Sequence, residues 1–466
     1  TVIATLKRKS LSLKEFFHSD MMRRHFFILA FLSSYLVLGQ SDFSFEGVSE
    51  AGVFVSSSDS LPLWFSTNNA ARLGRASDLF GLAGAVATYK ISENSKIQGG
   101  ASFYYRNNLP EEFQRNQLFI SFENSFVEVT LGAKKIEEKA QGLSATNMNM
   151  LWSGNSRPIP GLRIASQNPL MVTRQFGVDF GIAHYELNDD RYVDDVRLHY
   201  KHLALVYNLN ERNTITAKLQ HFAQWGGTSP EFGALKKDFS GFIDVFTARE
   251  AFEIGVDGEI YNAVGNHLGS YFLDYTFQNS AGRFSIYHEH VFDDGSGTAL
   301  KNFPDGVWGA YFEPKSGEWL DALLYEYITT RNQSSKTRPD NYFNNSVYRT
   351  GWTYEGNIIG LPFMLTTPRN TLSEAGITFI SNALSMHHFG ISGTLKMFDW
   401  KIRSSFVQNF GGIAFPFSKT LTTTHHYFEI AYPTKNFGRF KLQTGFDTSS
   451  ATNSIFGGGL HYEYSF

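Results

Sequence analysis

The sequence predicts an all-β protein, a transmembrane antiparallel β-barrel of the bacterial outer-membrane type. Three observations predict this fold. The C-terminal segment alternates like a membrane-crossing strand, the composition is rich in aromatic residues without being apolar overall, and no long apolar run follows residue 40. A barrel satisfies all three, because its strands face lipid on one side and water on the other.

The C-terminal segment, residues 456–466, is the clearest of the three observations. One face carries Phe456, Gly458, Leu460, Tyr462, Tyr464 and Phe466, and the other carries His461, Glu463 and Ser465. A period of two predicts a strand, and its length fits the roughly 9–11 residues that a tilted strand needs to cross the hydrocarbon layer. The closing aromatic residues Tyr462, Tyr464 and Phe466 resemble the signal read by the barrel-assembly machinery, which we expect as a partner during biogenesis.

The composition agrees with a surface that meets two solvents. Aromatic residues make up 16% of the chain and charged residues only 18%, against about 25% charged in a typical soluble domain. The mean hydropathy is nevertheless −0.23. Composition alone leaves a soluble, aromatic-rich β-protein open as the alternative.

Upstream strands favour the barrel over that alternative. They repeat the alternation with Lys and Arg on the second face, as where Phe440 and Leu442 oppose Arg439 and Lys441. Inside a soluble sandwich these cations would be buried without partners, whereas in a wide barrel they face water. We predict about 18 strands, within a range of about 16–20, with the number between residues 350 and 385 left open.

The N-terminal part divides into three expected segments. Residues 22–40 have a basic start and a short apolar run, which predicts a signal peptide; an anchor helix is the alternative. Residues 1–21 do not resemble native mature sequence. Residues 41–78 are expected to form a short helical or plug element at the periplasmic side, and residues 79–466 the barrel. Within the barrel, segments 144–172 and 224–250 do not alternate and are expected to be plug, loop or short helix.

Turn lengths give the barrel a direction. Bacterial barrels pair short periplasmic turns with long external loops. Counting back from the last strand, which must end in the periplasm, places the long segments 292–306 and 332–350 outside the cell.

Several functional classes are not supported by any motif. The net charge of −3 comes without a Lys/Arg stripe, so we expect no nucleic-acid partner. There is no Cys, and no serine-hydrolase, metalloprotease or phosphate-loop motif, so we expect neither an enzyme nor a cofactor. His288-Glu289-His290 resembles a metal motif, but on a strand Glu289 points away from both histidines. We therefore expect no metal site.

The external segments and two regions nearer the N-terminus resemble the capsule assembly protein Wzi family. Each stretch alone is a weak signal, but their order spans most of residues 45–466. The matching stretches are residues 61–65 (LPLWF), 154–161 (GNSRPIPG), 288–297 (HEHVFDDGSG), 301–309 (KNFPDGVWG), 344–354 (NNSVYRTGWTY) and 359–363 (IGLPF).

This resemblance implies an outer-membrane barrel of about 18 strands, with an N-terminal helical element closing its periplasmic end. It also implies a lectin-like role in holding capsular or related surface polysaccharide, without catalysis. Sugars need aromatic faces together with carboxylates, amides and Arg. The external segments offer such residues, and we expect the ligand to meet Asp294, Asn302, Asp305, Trp308, Tyr348, Arg349 and Trp352, with Arg349 and Trp352 first. The alternative is that these side chains only support their own loops. Arg157, which precedes Pro158 in a rigid segment, has a further alternative role in plugging the lumen.

Three functions therefore compete. The leading hypothesis is a binding protein that anchors surface polysaccharide, with outer-membrane lipids around the barrel. The second is a porin or sugar-selective channel, in which lumen Lys and Arg set selectivity. The third is an outer-membrane lipase or protease, which would need a nucleophile and a His converging at the rim.

Overall fold

The protein is described here from a computed structural model, which covers residues 42–249, 264–293, 295–317, 319–334, 340–368, 371–373 and 376–466. Residues 45–466 form one compact unit. The predicted signal peptide at 22–40, and residues 1–21 before it, lie outside the described residues.

Within these residues, 18 antiparallel strands form a closed barrel, as predicted. A two-residue strand, Leu170–Met171, extends the sixth of them. The strands are Phe43–Ser56 (β1), Leu79–Ser92 (β2), Ser95–Arg106 (β3), Phe113–Asn124 (β4), Val127–Ala133 (β5), Gly161–Ser166 (β6), Phe176–Leu187 (β7), Val196–Asn210 (β8), Asn213–Trp225 (β9), Asn266–Gln278 (β10), Gly282–Phe292 (β11), Gly306–Pro314 (β12), Ala322–Thr329 (β13), Leu384–Leu395 (β14), Phe398–Gly411 (β15), Pro416–Pro433 (β16), Arg439–Ser449 (β17) and Ile455–Ser465 (β18).

The first and last strands close the barrel. β1 and β18 pair antiparallel from Val48 opposite Ser465 to Ser56 opposite Gly457. One step further, the backbone N–H of Gly47 donates to the carbonyl of Phe466 at 2.7 Å. Closure removes the two free sheet edges that lipid cannot hydrogen-bond.

The strands turn their apolar faces outward. In the last strand the predicted lipid-facing residues Phe456 and Leu460 are 57% and 61% exposed, and Phe466 directly after it is 64% exposed. Near the short turns, Phe277, Phe284 and Phe312 stack side by side across β10, β11 and β12, with ring centroids 4.8 and 4.3 Å apart. Such ladders form the aromatic girdle at a membrane interface.

The two barrel ends differ in the length of their connections. One end has short turns, among them 93–94, 125–126, 211–212, 279–281 and 396–397. The other end, here called the loop end, carries the long segments 57–78, 134–160, 226–265, 293–305 and 330–383. Short turns mark the periplasmic side, so the loop end is external. The described residues of these segments contain a 3-10 helix at Ala140–Gly142 and three short α-helices: Leu63–Ser66 (α1), Phe239–Thr247 (α2) and Gly295–Thr298 (α3).

Three loops fold back into the barrel and together form what we call the plug, residues 61–73, 143–159 and 342–364. They bond to one another, since Trp352 Nε1 donates to the Leu151 carbonyl at 2.7 Å and Ala70 N donates to the Gly154 carbonyl at 2.9 Å. The plug and the inward faces of the strands share one large core of buried side chains.

The structure differs from the prediction for residues 41–78, which were expected to form a periplasmic plug element. Residues 43–56 lie in the wall as β1, and only 57–78 enters the lumen, from the external end. The helical element is present as α1. The alternation of β1 was hidden because its inward face is also apolar: Phe54 packs against Phe65 of the plug, with ring centroids 5.8 Å apart.

Two further expectations are corrected or refined. Segment 144–172 was expected to lack strands but contains β6, which is only six residues long and therefore shows little periodicity. Segment 224–250 contains α2, one of the predicted options. The described residues between 350 and 383 contribute no wall strand and instead belong largely to the plug. No helix among the described residues is long and apolar enough to cross a membrane.

Candidate functional site

Two buried wall carboxylates hold the plug. The Glu326 side chain accepts hydrogen bonds from Ser144 Oγ at 2.6 Å and from Ala145 N at 2.8 Å. The Glu289 side chain accepts from Met150 N at 2.6 Å. Both glutamates are at most 1% exposed. A carboxylate that accepts backbone N–H groups in a dry site forms strong bonds, so the segment 143–150 is fixed to the wall.

Two predicted glycan-binding residues, Trp352 and Tyr348, lie inside the plug. Trp352 is 0% exposed and Tyr348 is 5% exposed. The Tyr348 hydroxyl donates to the Gly226 carbonyl at 3.2 Å, and Trp352 packs edge-on against Phe222 of the wall at 5.4 Å. Neither ring offers a face to an external polymer, and both stabilise the plug instead.

Asn302 and Asp305 are likewise buried, at 0% and 1% exposure. Asp305 accepts from the backbone N–H groups of Asn332 and Gln333 at 2.9 and 2.8 Å. It therefore ties two external loops together. Burial raises the pKa of Asp305 to about 6, against its ordinary 3.8, although these N–H groups oppose the rise.

Trp308 lies on the wall rather than on the external surface. It is the third residue of β12 and stacks on His288 of β11, with ring centroids 3.7 Å apart. Both face outward, on the same side as the lipid-facing Ile286. Trp308 therefore belongs to the aromatic girdle at the loop end. Asp294, the remaining predicted residue of this segment, lies outside the described residues.

Arg349 is the predicted site residue that reaches the external surface. It forms an ion pair with Glu231, and its guanidinium lies 5.0 Å from the ring centroid of Tyr192. The Arg349 and Glu231 side chains are 29% and 45% exposed. Three loops thus contribute one residue each to what we call the rim cluster, Tyr192, Glu231 and Arg349.

A cavity of about 250 Å³ adjoins the rim cluster. The two are physically joined, because the Tyr192 backbone N–H donates to Thr350 Oγ1 at 2.8 Å and Thr378 Oγ1 donates to the Arg349 carbonyl at 2.8 Å. We call it the threonine cavity after the residues that dominate its lining: Thr350, Thr353, Thr366, Thr367, Thr371 and Thr378. Threonine hydroxyls both donate and accept, so they can match the hydroxyls of a sugar.

The Arg157 segment lies within the plug, and the partner of Arg157, Glu355, lies in sequence between the cavity-lining residues Thr353 and Gly356. Arg157 pairs with Glu355, and its guanidinium lies 5.9 Å from the Tyr354 ring. Both charged side chains are only 12% exposed. Pro158 and Pro160 limit the backbone here, so the ion pair is held in a stiff part of the plug.

Sequence reasoning missed Glu289, Glu326, Tyr192 and Glu231. The strand period of the His-Glu-His motif predicts that Glu289 faces away from both histidines. Its role could not be predicted, because its hydrogen-bond partner Met150 is distant in sequence. Tyr192 and Glu231 carry no local signal, since only the folded loops bring them to Arg349. Among the described residues, no group of three or more His, Asp or Glu side chains could hold a metal ion.

Comparison with known proteins adds to this geometry. The solved structure of Wzi from Escherichia coli, described as an outer-membrane protein involved in group 1 capsule assembly and a carbohydrate-binding β-barrel, is 13% identical. The match covers 94% of this chain and 88% of that one, with a TM-score of 0.61, and it supports the fold.

Two other solved structures match with lower TM-scores. OccK5 (OpdH) from Pseudomonas aeruginosa and a BenF-like porin from Pseudomonas fluorescens Pf-5 are 10% and 11% identical, each with a TM-score of 0.48, and each match covers 91% of this chain and 98% of the other. No curated protein sequence matches the chain.

The family comparison is the more specific one. The model of the family described as capsule assembly protein Wzi matches residues 83–363, which is more than half of the 466-residue chain and includes most of the plug. The protein is an outer-membrane β-barrel that belongs to the capsule assembly protein Wzi family.

Proposed function

We propose that this protein binds and retains capsular or related surface polysaccharide on the outside of the cell, without catalysing a reaction. The observation that carries this proposal is the rim cluster beside the threonine cavity. Together they present an aromatic ring, a guanidinium, a carboxylate and several hydroxyls on a packed support. The family membership and the carbohydrate binding described for E. coli Wzi support the same role.

The rim cluster has the chemistry that glycan recognition needs. Tyr192 offers an aromatic face for sugar C–H groups, and Arg349 and Glu231 offer donors and acceptors for hydroxyls or acidic groups. A single shallow site of this kind binds weakly. A polysaccharide presents many copies of its repeat, however, and many barrels share one membrane, so retention can be far stronger than one contact.

Membrane residence implies two further partners, which we also propose. Outer-membrane lipids surround the outward apolar faces, as at Leu203 and Leu205, which are 51% and 54% exposed. The barrel-assembly machinery recognises the last strand through Tyr462, Tyr464 and Phe466. Replacing Phe466 with Ala is expected to lower the amount of folded barrel in the membrane several-fold.

The alternative is a porin or sugar-selective channel, which needs an open path from end to end. The plug lies across that path, and Trp352, Ile359 and Leu361 within it are each 0% exposed. The packed plug favours a binding surface over a pore.

The proposal is tested in the native host by deleting the gene and staining cell-bound and shed polysaccharide. We expect the cell-bound fraction to fall and the shed fraction to rise. Complementation with Arg349→Ala should restore the barrel to the membrane but only part of the retention. Unchanged retention in the deletion strain would contradict the proposal.

A binding assay isolates the external surface. The purified barrel carrying Tyr192→Ala and Arg349→Ala should bind the host's polysaccharide about tenfold more weakly, since one charge-assisted bond alone contributes about 1.5–3 kcal/mol. Arg212→Ala is the matched control, because Arg212 lies in the 211–212 turn at the opposite end. Equal binding by both variants would exclude the rim cluster.

A further inference from the structure

The lumen on the periplasmic side of the plug contains a second cavity, of about 600 Å³. It is separate from the rim cluster, since the plug lies between them. Its lining begins near the short turns, with Glu123, Gln167 and Asp179, and ends against the plug at Trp152 and Phe222. This volume is within the range of cavities that take small ligands, roughly 300–1,000 Å³.

The end of the cavity against the plug is aromatic. Trp152 of the plug lies 5.3 Å from Tyr185 and 5.5 Å from Phe222, measured between ring centroids. Tyr200 continues the group at 4.6 Å from Phe222. Among the described residues neither Trp152 Nε1 nor the Tyr185 hydroxyl has a hydrogen-bond partner, although both residues line the cavity. The aromatic end thus combines flat apolar faces with two available donors.

The walls of the cavity carry acidic residues that are already paired. Glu128 binds Lys134 at 2.6 Å and Arg163 at 2.8 Å. Glu123 binds Lys134 at 3.3 Å and Lys96 at 2.9 Å, and Asp179 lies 3.3 Å from His202. The Lys and Arg partners therefore compensate the charges of Glu123 and Glu128.

Three lining lysines, Lys135, Lys139 and Lys218, have no ion-pair partner among the residues that the structure describes. Glu137 is similarly without an ion pair. With His202 counted as neutral, the lining carries five Lys and Arg side chains against four carboxylates, an excess of one positive charge. Of the three, Lys218 gives the strongest indication of a ligand. It points inward from the middle of β9, and its ammonium lies 5.4 Å from the centroid of the Phe272 ring. A cation enclosed in this way is stabilised by an anionic ligand.

We propose that this cavity binds an acidic sugar, a hexuronate alone or at the end of a short oligosaccharide, that enters from the periplasmic side. The pyranose face packs on Trp152 and Tyr185, and the sugar carboxylate pairs with Lys218. The site goes beyond the proposed function, which concerns the external surface. A barrel with both sites contacts acidic glycan on each side of its plug.

The experiment is calorimetric titration of the full purified barrel in detergent, where both ends are accessible. Trigalacturonate is the probe, with uncharged maltotriose and inorganic phosphate as comparison ligands. The protein carries Arg349→Ala and Tyr192→Ala throughout, so that the rim cluster does not contribute. We expect trigalacturonate to bind, maltotriose to bind at least tenfold more weakly, and phosphate not to displace trigalacturonate.

Lys218→Gln should weaken trigalacturonate binding about tenfold and remove the preference over maltotriose, whereas Lys218→Arg should restore most of both. Lys419→Gln is the matched control, because Lys419 is an exposed lysine of β16 that does not line the cavity. Heat-dependent gel mobility confirms that each variant is folded. Equal binding with and without Lys218, or displacement of the sugar by phosphate, would overturn the proposal, and neither outcome affects polysaccharide binding at the rim.

Discussion

The two halves of the barrel interior accommodate their inward-facing polar side chains in different ways. Toward the loop end, inward side chains are dry and packed: Glu289 is 1% exposed and bonds to the plug. Toward the turns, inward side chains form ion pairs beside open cavities, as where Lys441 meets Glu463 at 3.2 Å. One half resembles the core of a soluble protein and the other a hydrated lumen. The packed half supports the external surface, and the hydrated half gives the luminal cavity its charge.

The largest difference in stability between the two halves should come from Trp352→Ala. Removing a fully buried Trp from the plug is expected to cost about 3–5 kcal/mol of unfolding free energy. The measurement is thermal or denaturant unfolding, followed by the gel mobility of the folded barrel. Phe437→Ala is the control, since Phe437 is 72% exposed in a periplasmic turn and its loss should cost less than about 0.5 kcal/mol. Equal losses would mean that the plug is not a packed core.

A smaller effect is expected where the plug meets the wall. Glu326→Gln keeps the size of the side chain but leaves one oxygen to accept the bonds from Ser144, Ala145 and Tyr287. We expect a cost of about 1–3 kcal/mol, seen as faster hydrogen exchange over residues 143–150. The control is Glu313→Gln near a turn, where the partly exposed carboxylate lies 3.8 Å from Arg283. Such pairs contribute about 0–1 kcal/mol. Unchanged exchange in Glu326→Gln would show that Glu326 does not hold the segment 143–150 to the wall.

The smallest expected effect is a pH dependence that originates at Asp305. Its pKa is raised in the folded protein from 3.8 to about 6. The folded protein therefore binds this proton more tightly than the unfolded chain does, so protonation of Asp305 stabilises the folded loops. This stabilisation is complete below pH 3.8 and is lost as the pH rises through about 6. Lowering the pH from about 7 to about 5 should therefore stabilise the loop contact by about 1 kcal/mol.

Hydrogen exchange of the Asn332 and Gln333 amides, corrected for the intrinsic pH effect, measures this change. Those amides donate to Asp305 at 2.9 and 2.8 Å. Asp305→Asn should abolish the pH dependence over this range. A loop contact that weakens on acidification would contradict this prediction, because it would mean that the ionised form of Asp305 stabilises the folded loops.

The wall of the barrel was predictable from sequence because each strand carries its own signal. Lipid on one side and water on the other impose a period of two, and this was sufficient for β17, β18 and the approximate strand number. The signal failed for β1 because Phe54 faces the plug rather than water. A wall residue that packs on a folded loop loses the polar alternation that identifies it.

The candidate site was less predictable, for a related reason. Aromatic residues and amides in external loops are needed both to bind sugars and to pack a plug. Of the predicted residues, Trp352 and Tyr348 pack within the plug. Asn302 and Asp305 are buried between external loops, whereas Arg349 reaches the surface. Its partners Tyr192 and Glu231 come from other loops, so only the folded chain identifies them. The glycan-binding role of the rim cluster remains a prediction.

We propose that the plug makes this barrel a binding protein and not a pore. Conductance across a planar lipid bilayer that contains the purified barrel tests it most directly. We predict no sustained current from the wild-type protein, and current steps in Glu326→Gln when the segment 143–150 leaves the wall. A steady open-channel current from the wild-type barrel would contradict the account.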